Sequence, residues 1–287
     1  MKPPADVQRP PPRRTIYILP NLFTTAALFS GFYAIVQAMG GRFEVAAMAI
    51  FVAMVMDGMD GRIARLTQTQ SPFGAEYDSL ADMVSFGVAP ALVMYEWSLV
   101  GMGKFGWAAA FLYCVTAALR LARFNTNIGT VDKSFFQGLP SPAAAALLAG
   151  LVWIATDMGV SGADMHGSAF VLTVFAGTMM VSNVLYWSGK NINLKKSVPF
   201  LAVCLFVLGL ALVSIHPALA LFLLCLLYGV SGPLYWCVRW LRRRRRLQQL
   251  AAKRAQMHAA REQKTESRTE VNTESPSQSA PTQESES

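Results

Sequence analysis

The stretch Met56–Asp82, MDGMDGRIARLTQTQSPFGAEYDSLAD, carries four aspartates with small residues at fixed offsets, inside a chain that is otherwise strongly apolar. Asp57 and Asp60 stand three apart and Asp78 and Asp82 four apart, so on helices each pair projects from one face. Between the pairs, Gln68–Pro72 is polar and ends in Ser-Pro, which interrupts a helical pattern and makes a turn. The expected result is a helical hairpin with two carboxylate pairs facing each other. The rest of the chain reads as its scaffold.

The composition says what kind of scaffold this is. Of 287 residues 53% are hydrophobic and only 15% charged, and mean hydropathy is positive, which fits an all-α polytopic membrane protein better than a soluble domain. The formal net charge of +8 is dominated by Arg242–Arg246 and the basic chain ends. That pattern points to anionic lipid headgroups as partners and away from nucleic acid. Cys114, Cys204, Cys225 and Cys237 lie in apolar segments without C-x-x-C spacing, so they read as buried thiols rather than disulfides or a zinc site. The first apolar stretch is too long for a signal-peptide core and others follow it, so it reads as a retained transmembrane helix.

Met1–Thr15 is a Pro- and Arg-rich flexible arm. Apolar spans then fall near Ile16–Met39, Phe43–Leu66, Gly74–Val100, Gly106–Phe124, Pro140–Thr156, Ala169–Trp187, Val198–Ile215 and Ala218–Trp240, each near the ~20 residues a bilayer requires. The expectation is therefore a transmembrane domain over 16–240 with about eight helices, a basic cytosolic helix over 241–264 and a tail over 265–287 that cannot bury a core. Arg9, Arg13, Arg14, Arg62, Arg65, Lys133, Lys190, Lys195, Lys196 and the run Arg242–Arg246 fall in alternate connections. Both termini and the aspartate hairpin should then lie on the cytoplasmic side.

A carboxylate at membrane depth costs several kcal/mol unless it is paired or metal-bound, so four near one level demand compensating positive charge. Arg62 and Arg65 would supply part of it if the cluster were a structural Asp–Arg network. Two divalent cations fit better, because carboxylate oxygens without nearby His or Cys select hard ions such as Mg²⁺ or Mn²⁺. Such ions clamp a diphosphate and stabilise the entering and leaving oxygens of an in-line displacement. Helical glycine costs up to ~1 kcal/mol relative to alanine. Gly58, Gly61 and Gly74 therefore suggest either close approach of a ligand to the backbone or close helix packing.

Asp60-Gly61, Ala64-Arg65, Gly74, Asp78 and Asp82 follow D-G-x2-A-R-x8-G-x3-D-x3-D, with Asp57 three residues ahead. This pattern resembles the signature of the CDP-alcohol phosphatidyltransferase family. The resemblance implies that Gly61, Ala64, Arg65 and Gly74, with Asn21 and Thr24 of the first-helix segment LPNLFTT, bind the CDP-diacylglycerol donor. By the same carry-over Asp57, Asp60, Asp78 and Asp82 form the metal site, and Asp82, near the metals, is also the general base. Spacing alone does not separate base from ligand. A homodimer in the bacterial inner membrane is implied as well.

The signature leaves the acceptor open. ALRLARFN (118–125) places Arg120 and Arg123 on one helical face, able to hold a carboxylate in bidentate fashion or, on the plainer reading, to snorkel at the interface. Together with FFQGLPSPAAA (135–145) and MVSNVLYWSGK (180–190), this stretch is similar to the serine-using bacterial branch of the family. The implied reaction is transfer of the phosphatidyl group from CDP-diacylglycerol to L-serine with release of CMP. Arg120 and Arg123 are then the first candidates for the serine carboxylate and Lys133 a third. The alternatives are a sister transferase acting on glycerol 3-phosphate or inositol phosphate, an intramembrane prenyltransferase, and a divalent-cation transporter. Prenyltransferase motifs lie far apart in sequence, and transporter carboxylates line a path rather than one level.

Overall fold

A computed structural model of the chain describes residues 18–67, 71–126, 135–187, 209 and 215–273. The arm, Lys133 and nearly all of the expected span Val198–Ile215 lie outside those residues. Helices dominate: α1 (Ile18–Met39), α2 (Phe43–Leu66), α3 (Pro72–Asp82), α4 (Ala89–Trp97), α5 (Lys104–Thr126), α6 (Ser141–Asp157), α7 (His166–Val181) and α8 (Pro217–Thr273). A two-stranded antiparallel ribbon joins β1 (Phe135–Gln137) to β2 (Leu185–Trp187), with Phe136 opposite Tyr186. Contacts divide the chain into two units, Met1–Leu234 and Tyr235–Ser287.

Within the first unit, α1 lies along α2, α5 along α7, and α6 against α2. The seams are made of small side chains. Ala34 and Ala38 of α1 meet a set including Ala46, Ala47, Ala49 and Ala53 of α2, while α6 buries Ala144, Ala145, Ala146 and Ala149. With apolar solvent on the outside, close backbone approach through small residues is the available source of helix association. Large apolar side chains such as Phe29, Phe105, Phe111 and Val171 stay exposed, as expected for surfaces facing lipid.

Four helical segments are long and apolar enough to cross a membrane among the described residues: Pro20–Met39, Lys104–Thr126, Gly162–Val181 and Pro217–Arg244. Helix α2 has 24 residues, about 36 Å at 1.5 Å per residue, but Asp57, Asp60, Arg62 and Arg65 lower its hydropathy.

Two expected helices differ in form. The segment expected as one span over Gly74–Val100 is α3 and α4 joined by a π-helical stretch, Met83–Val88. Pro90 supplies the reason: a proline lacks the N–H that would bond the carbonyl four residues back, and its ring pushes that carbonyl away. That carbonyl belongs to Phe86, and it accepts instead from the buried Tyr113 hydroxyl at 3.1 Å. The helix expected over Ala169–Trp187 ends at Val181. Ser182 is extended (φ −60°, ψ 157°), and the Leu-Tyr-Trp that follows pairs with β1.

In the second unit, helix persists to Thr273, beyond the end expected near residue 264. No Gly or Pro occurs between Leu247 and Ser275, and Pro276 is the first breaker. Arg244 sits 5.2 Å from the centre of the Trp240 ring, and Trp236, Trp240 and Leu241 are exposed. Cys114, Cys225 and Cys237 are free thiols, and Cys237 is exposed rather than buried.

Candidate active site

The aspartate hairpin is assembled by α2 and α3. Asp57 and Asp60 occupy the last turns of α2 on one face, and Ser71-Pro72 restarts the chain as α3. Ser71 is the N-cap and accepts from the Gly74 amide at 3.0 Å, with Pro72 at the first helical position. A proline there gives up no helical hydrogen bond, so Ser-Pro is a start signal as much as a break. From this start, Asp78 and Asp82 face α2. One carboxylate oxygen from each of Asp57, Asp60 and Asp78 falls within 4.8 Å of the other two.

That spacing is what a single cation spans when each metal–oxygen distance is roughly 2.0–2.6 Å. Oδ1 of Asp78 is buried without any hydrogen-bond partner, an arrangement that is costly for an acceptor unless an ion satisfies it. The donor set is all oxygen, and Arg65 does not neutralise it: its Nε donates to the Gly61 carbonyl at 2.7 Å. Among the described residues no ion pair joins these carboxylates to Arg62 or Arg65. The three residues therefore fit a hard divalent cation, and the reading of the cluster as a structural Asp–Arg network has no support in the contacts. Asp82 stands beside this triad rather than in it. Its carboxyl group lies beside that of Asp57, and Arg120 lies close enough for its charge to act on Asp82.

Around the triad, Thr24 of α1 is 4% exposed, and its hydroxyl donates to Oδ2 of Asp60 at 2.7 Å. A ligand carboxylate held by a neighbouring hydroxyl is fixed in orientation before the ion arrives. Thr25 and Tyr77 share a hydrogen bond of 2.9 Å between α1 and α3, and Asn125 of α5 donates to Ser79 at 3.0 Å. The hairpin is thus tied on both sides.

A cleft of about 310 Å³ opens directly onto Asp60 and Asp78. Asn21, Thr24, Gly61, Ala64, Arg65 and Gly74, the six residues assigned to the donor, all line it. A side chain added at Gly61 would meet nothing within 4 Å, so its glycine leaves free room beside the backbone. Gly58 is equally open, so helix packing does not explain it.

On the other side of Asp82, Arg120 donates through Nη1 to the Ser141 hydroxyl at 2.6 Å. Ser141 is fully buried, and the Arg120 Nε is buried and unpartnered. Arg123 has other partners, all of them backbone carbonyls or the Asn183 amide. Lys133 lies outside the described residues. Ser141, Ser71 and Asn125 take parts that sequence reasoning did not give them. Only Ser71 carried a signal, as a serine directly before proline.

Comparison with known proteins agrees with this geometry. The profile of a family described as CDP-alcohol phosphatidyltransferase matches residues 17–188. A Helicobacter pylori protein named CDP-diacylglycerol–serine O-phosphatidyltransferase is 38% identical over 227 residues, covering 78% of this chain and 93% of its own. Proteins of the same name align from Mycobacterium leprae, at 34% identity over 77% of this chain and 75% of theirs, and from Methanocaldococcus jannaschii, at 36% over 64% and 80%.

Proposed function

Since the chain belongs to the CDP-alcohol phosphatidyltransferase family, we propose that it is a phosphatidylserine synthase, moving the phosphatidyl group of CDP-diacylglycerol to L-serine. The observation that carries this reading is the meeting of three carboxylates with the cleft that gathers all six donor residues. The shared name of relatives from bacteria and an archaeon supports serine as the acceptor.

The cleft takes the cytidine diphosphate end of the donor, with Gly61 leaving room at the backbone, Gly74 letting Ser71 and Asn21 approach closely, and Asn21 and Arg65 offering polar contacts. Asp57, Asp60 and Asp78 would hold two divalent cations, Mg²⁺ or Mn²⁺, with Asp82 at their edge. Bound there, the ions supply charge neutralisation for the diphosphate and for the departing phosphate oxygen. Thr24 keeps Asp60 turned inward. Asp82 accepts the proton from the serine hydroxyl as its oxygen forms a bond to the phosphorus that bears diacylglycerol. The bond from that phosphorus to the CMP oxygen breaks, and CMP leaves with the electron pair. Arg120, half-buried beside Asp82 with an unpartnered Nε, binds the serine carboxylate, while Lys133 is a further candidate and Arg123 is placed differently below.

The wider setting belongs to the same reading. The domain over 16–240 spans the bacterial inner membrane about eight times as a homodimer, with the site and both termini cytoplasmic. The basic helix over 241–264 contacts anionic lipid, and the tail over 265–287 takes no part in catalysis. Product analysis decides the acceptor. Purified protein given CDP-diacylglycerol, Mg²⁺ or Mn²⁺, and serine, glycerol 3-phosphate or inositol phosphate in turn should form phosphatidylserine and CMP from serine alone. Turnover of glycerol 3-phosphate in place of serine would move the chain to a sister activity and leave the metal site standing.

A further inference from the structure

The three stretches that mark the acceptor side, 118–125, 135–145 and 180–190, meet at one guanidinium. Nη1 of Arg123 donates to the Val181 carbonyl at 3.0 Å and the Asn183 Oδ1 at 3.4 Å. Nη2 donates to the carbonyls of Gln137 at 3.0 Å, Met180 at 3.3 Å and Ser182 at 3.4 Å. Three of these carbonyls, of Met180, Val181 and Ser182, close the C-terminal end of α7, where the helix itself offers no further amides and a cation is favoured. The Gln137 carbonyl comes from β1, so Arg123 joins α5, the ribbon and α7. The join is reinforced around it. Gln137 Nε2 donates to Asn183 Oδ1 at 3.1 Å, and the amides of Gly138 and Leu139 donate to Val184 at 2.8 Å and Met179 at 2.9 Å. Gly138 has φ +80°, and a side chain there would collide with the Met180 carbonyl and sit 3.0 Å from the Arg123 Nη2. Only glycine passes between the guanidinium and α7.

We propose that Arg123 is a positioning residue for the acceptor site: it clamps Gln137 and Gly138 against the end of α7, which holds Ser141 in place to orient Arg120. Only Leu139 and Pro140 separate Gly138 from Ser141, and Pro140 is the N-cap of α6, so little slack lies between the clamp and the Ser141 hydroxyl that receives Arg120. The clamp itself stands on hydrogen bonds alone. Its effect on serine rests on the reading that Arg120 faces the acceptor.

The test is amide hydrogen exchange on the full-length protein in detergent without substrate, followed by steady-state kinetics on the same variants. Arg123→Gln should speed exchange of the Gly138 and Leu139 amides by about tenfold or more, because opening of the ribbon becomes easier, while Arg120→Gln leaves them within about twofold. Both variants should raise the serine KM by about tenfold or more with the CDP-diacylglycerol KM changed less than about twofold, since only acceptor binding is touched. Arg123→Lys should recover part of the protection, a single ammonium reaching fewer of the carbonyls than the fork does. If Arg123→Gln does not fold, Asn183→Ala, which removes one acceptor from the clamp, should show the same two effects at smaller size.

Unchanged exchange with a raised serine KM would make Arg123 a direct acceptor contact and overturn the clamp. Faster exchange with an unchanged serine KM would overturn the link to Arg120. A wild type that ignores serine sinks the synthase reading instead, and the exchange arm still decides the clamp.

Discussion

At the scale of single residues, the four aspartates divide by their neighbours. Asp82 touches Asp57 but lies outside the triad, so Asp82→Asn should abolish transfer while largely sparing metal-dependent donor binding. Asp60→Asn and Asp78→Asn should lose both. Equilibrium binding of the donor with and without Mn²⁺, read beside CMP release, separates the two classes, and full turnover by Asp82→Asn would remove the general-base role. Thr24 allows a finer test, because its hydroxyl holds Asp60 from the wall of the donor cleft. Thr24→Val keeps the shape and removes the hydrogen bond, which should weaken metal activation by roughly tenfold to a hundredfold; Thr24→Ser should stay near wild type. The carboxylates and the donor residues were legible in the sequence because each sits at a fixed offset on one of two adjacent helices. The parts played by Thr24, Ser141 and Arg123 were not, because each depends on partners 14 to 60 residues away in the chain with no periodic pattern to announce them.

At the scale of elements, helix positions followed hydropathy closely, and what it missed were departures from the α-helical repeat. Periodicity marks where an apolar face runs, but it does not distinguish an α from a π turn when both faces are buried, as they are around Ser85, Phe86 and Gly87. Nor does it announce a three-residue ribbon such as β1 with β2. The π-helical stretch starts directly after Asp82, a common position for such turns at functional sites, so its register bears on the base. Removing the Tyr113 hydroxyl leaves the Phe86 carbonyl buried and unsatisfied, a loss of roughly 1–3 kcal/mol. Tyr113→Phe should therefore lower the thermal unfolding midpoint in detergent. Pro90→Ala restores an amide for that carbonyl, so in the double variant the Tyr113→Phe loss should be smaller than in the wild-type background. Strictly additive midpoints would show that Pro90 is not the cause of the π turn.

At the scale of the whole molecule, the apolar helices identify a membrane protein, and the distribution of Lys and Arg supplies its proposed orientation. The described helices cover most but not all of the expected spans, since Val198–Ile215 falls outside them. Arg242, Arg243 and Arg244 are exposed, beside the exposed Trp236 and Trp240, the combination found where a protein meets headgroups. Each basic residue near an anionic surface is worth about 1 kcal/mol, so replacing Arg242–Arg246 with Gln should weaken binding to anionic membranes far more than to neutral ones. Activity should fall on vesicles rich in anionic phospholipid and hold in neutral detergent micelles, with the difference shrinking as salt screens the surface. Truncation after Gln263 removes sequence without an apolar pattern and should leave both activities intact, which separates the charge of the run from the length of the helix. Equal loss of activity in micelles and vesicles on replacing the arginines would assign the run a structural role within α8, and the lipid partner would have to be sought elsewhere on the surface.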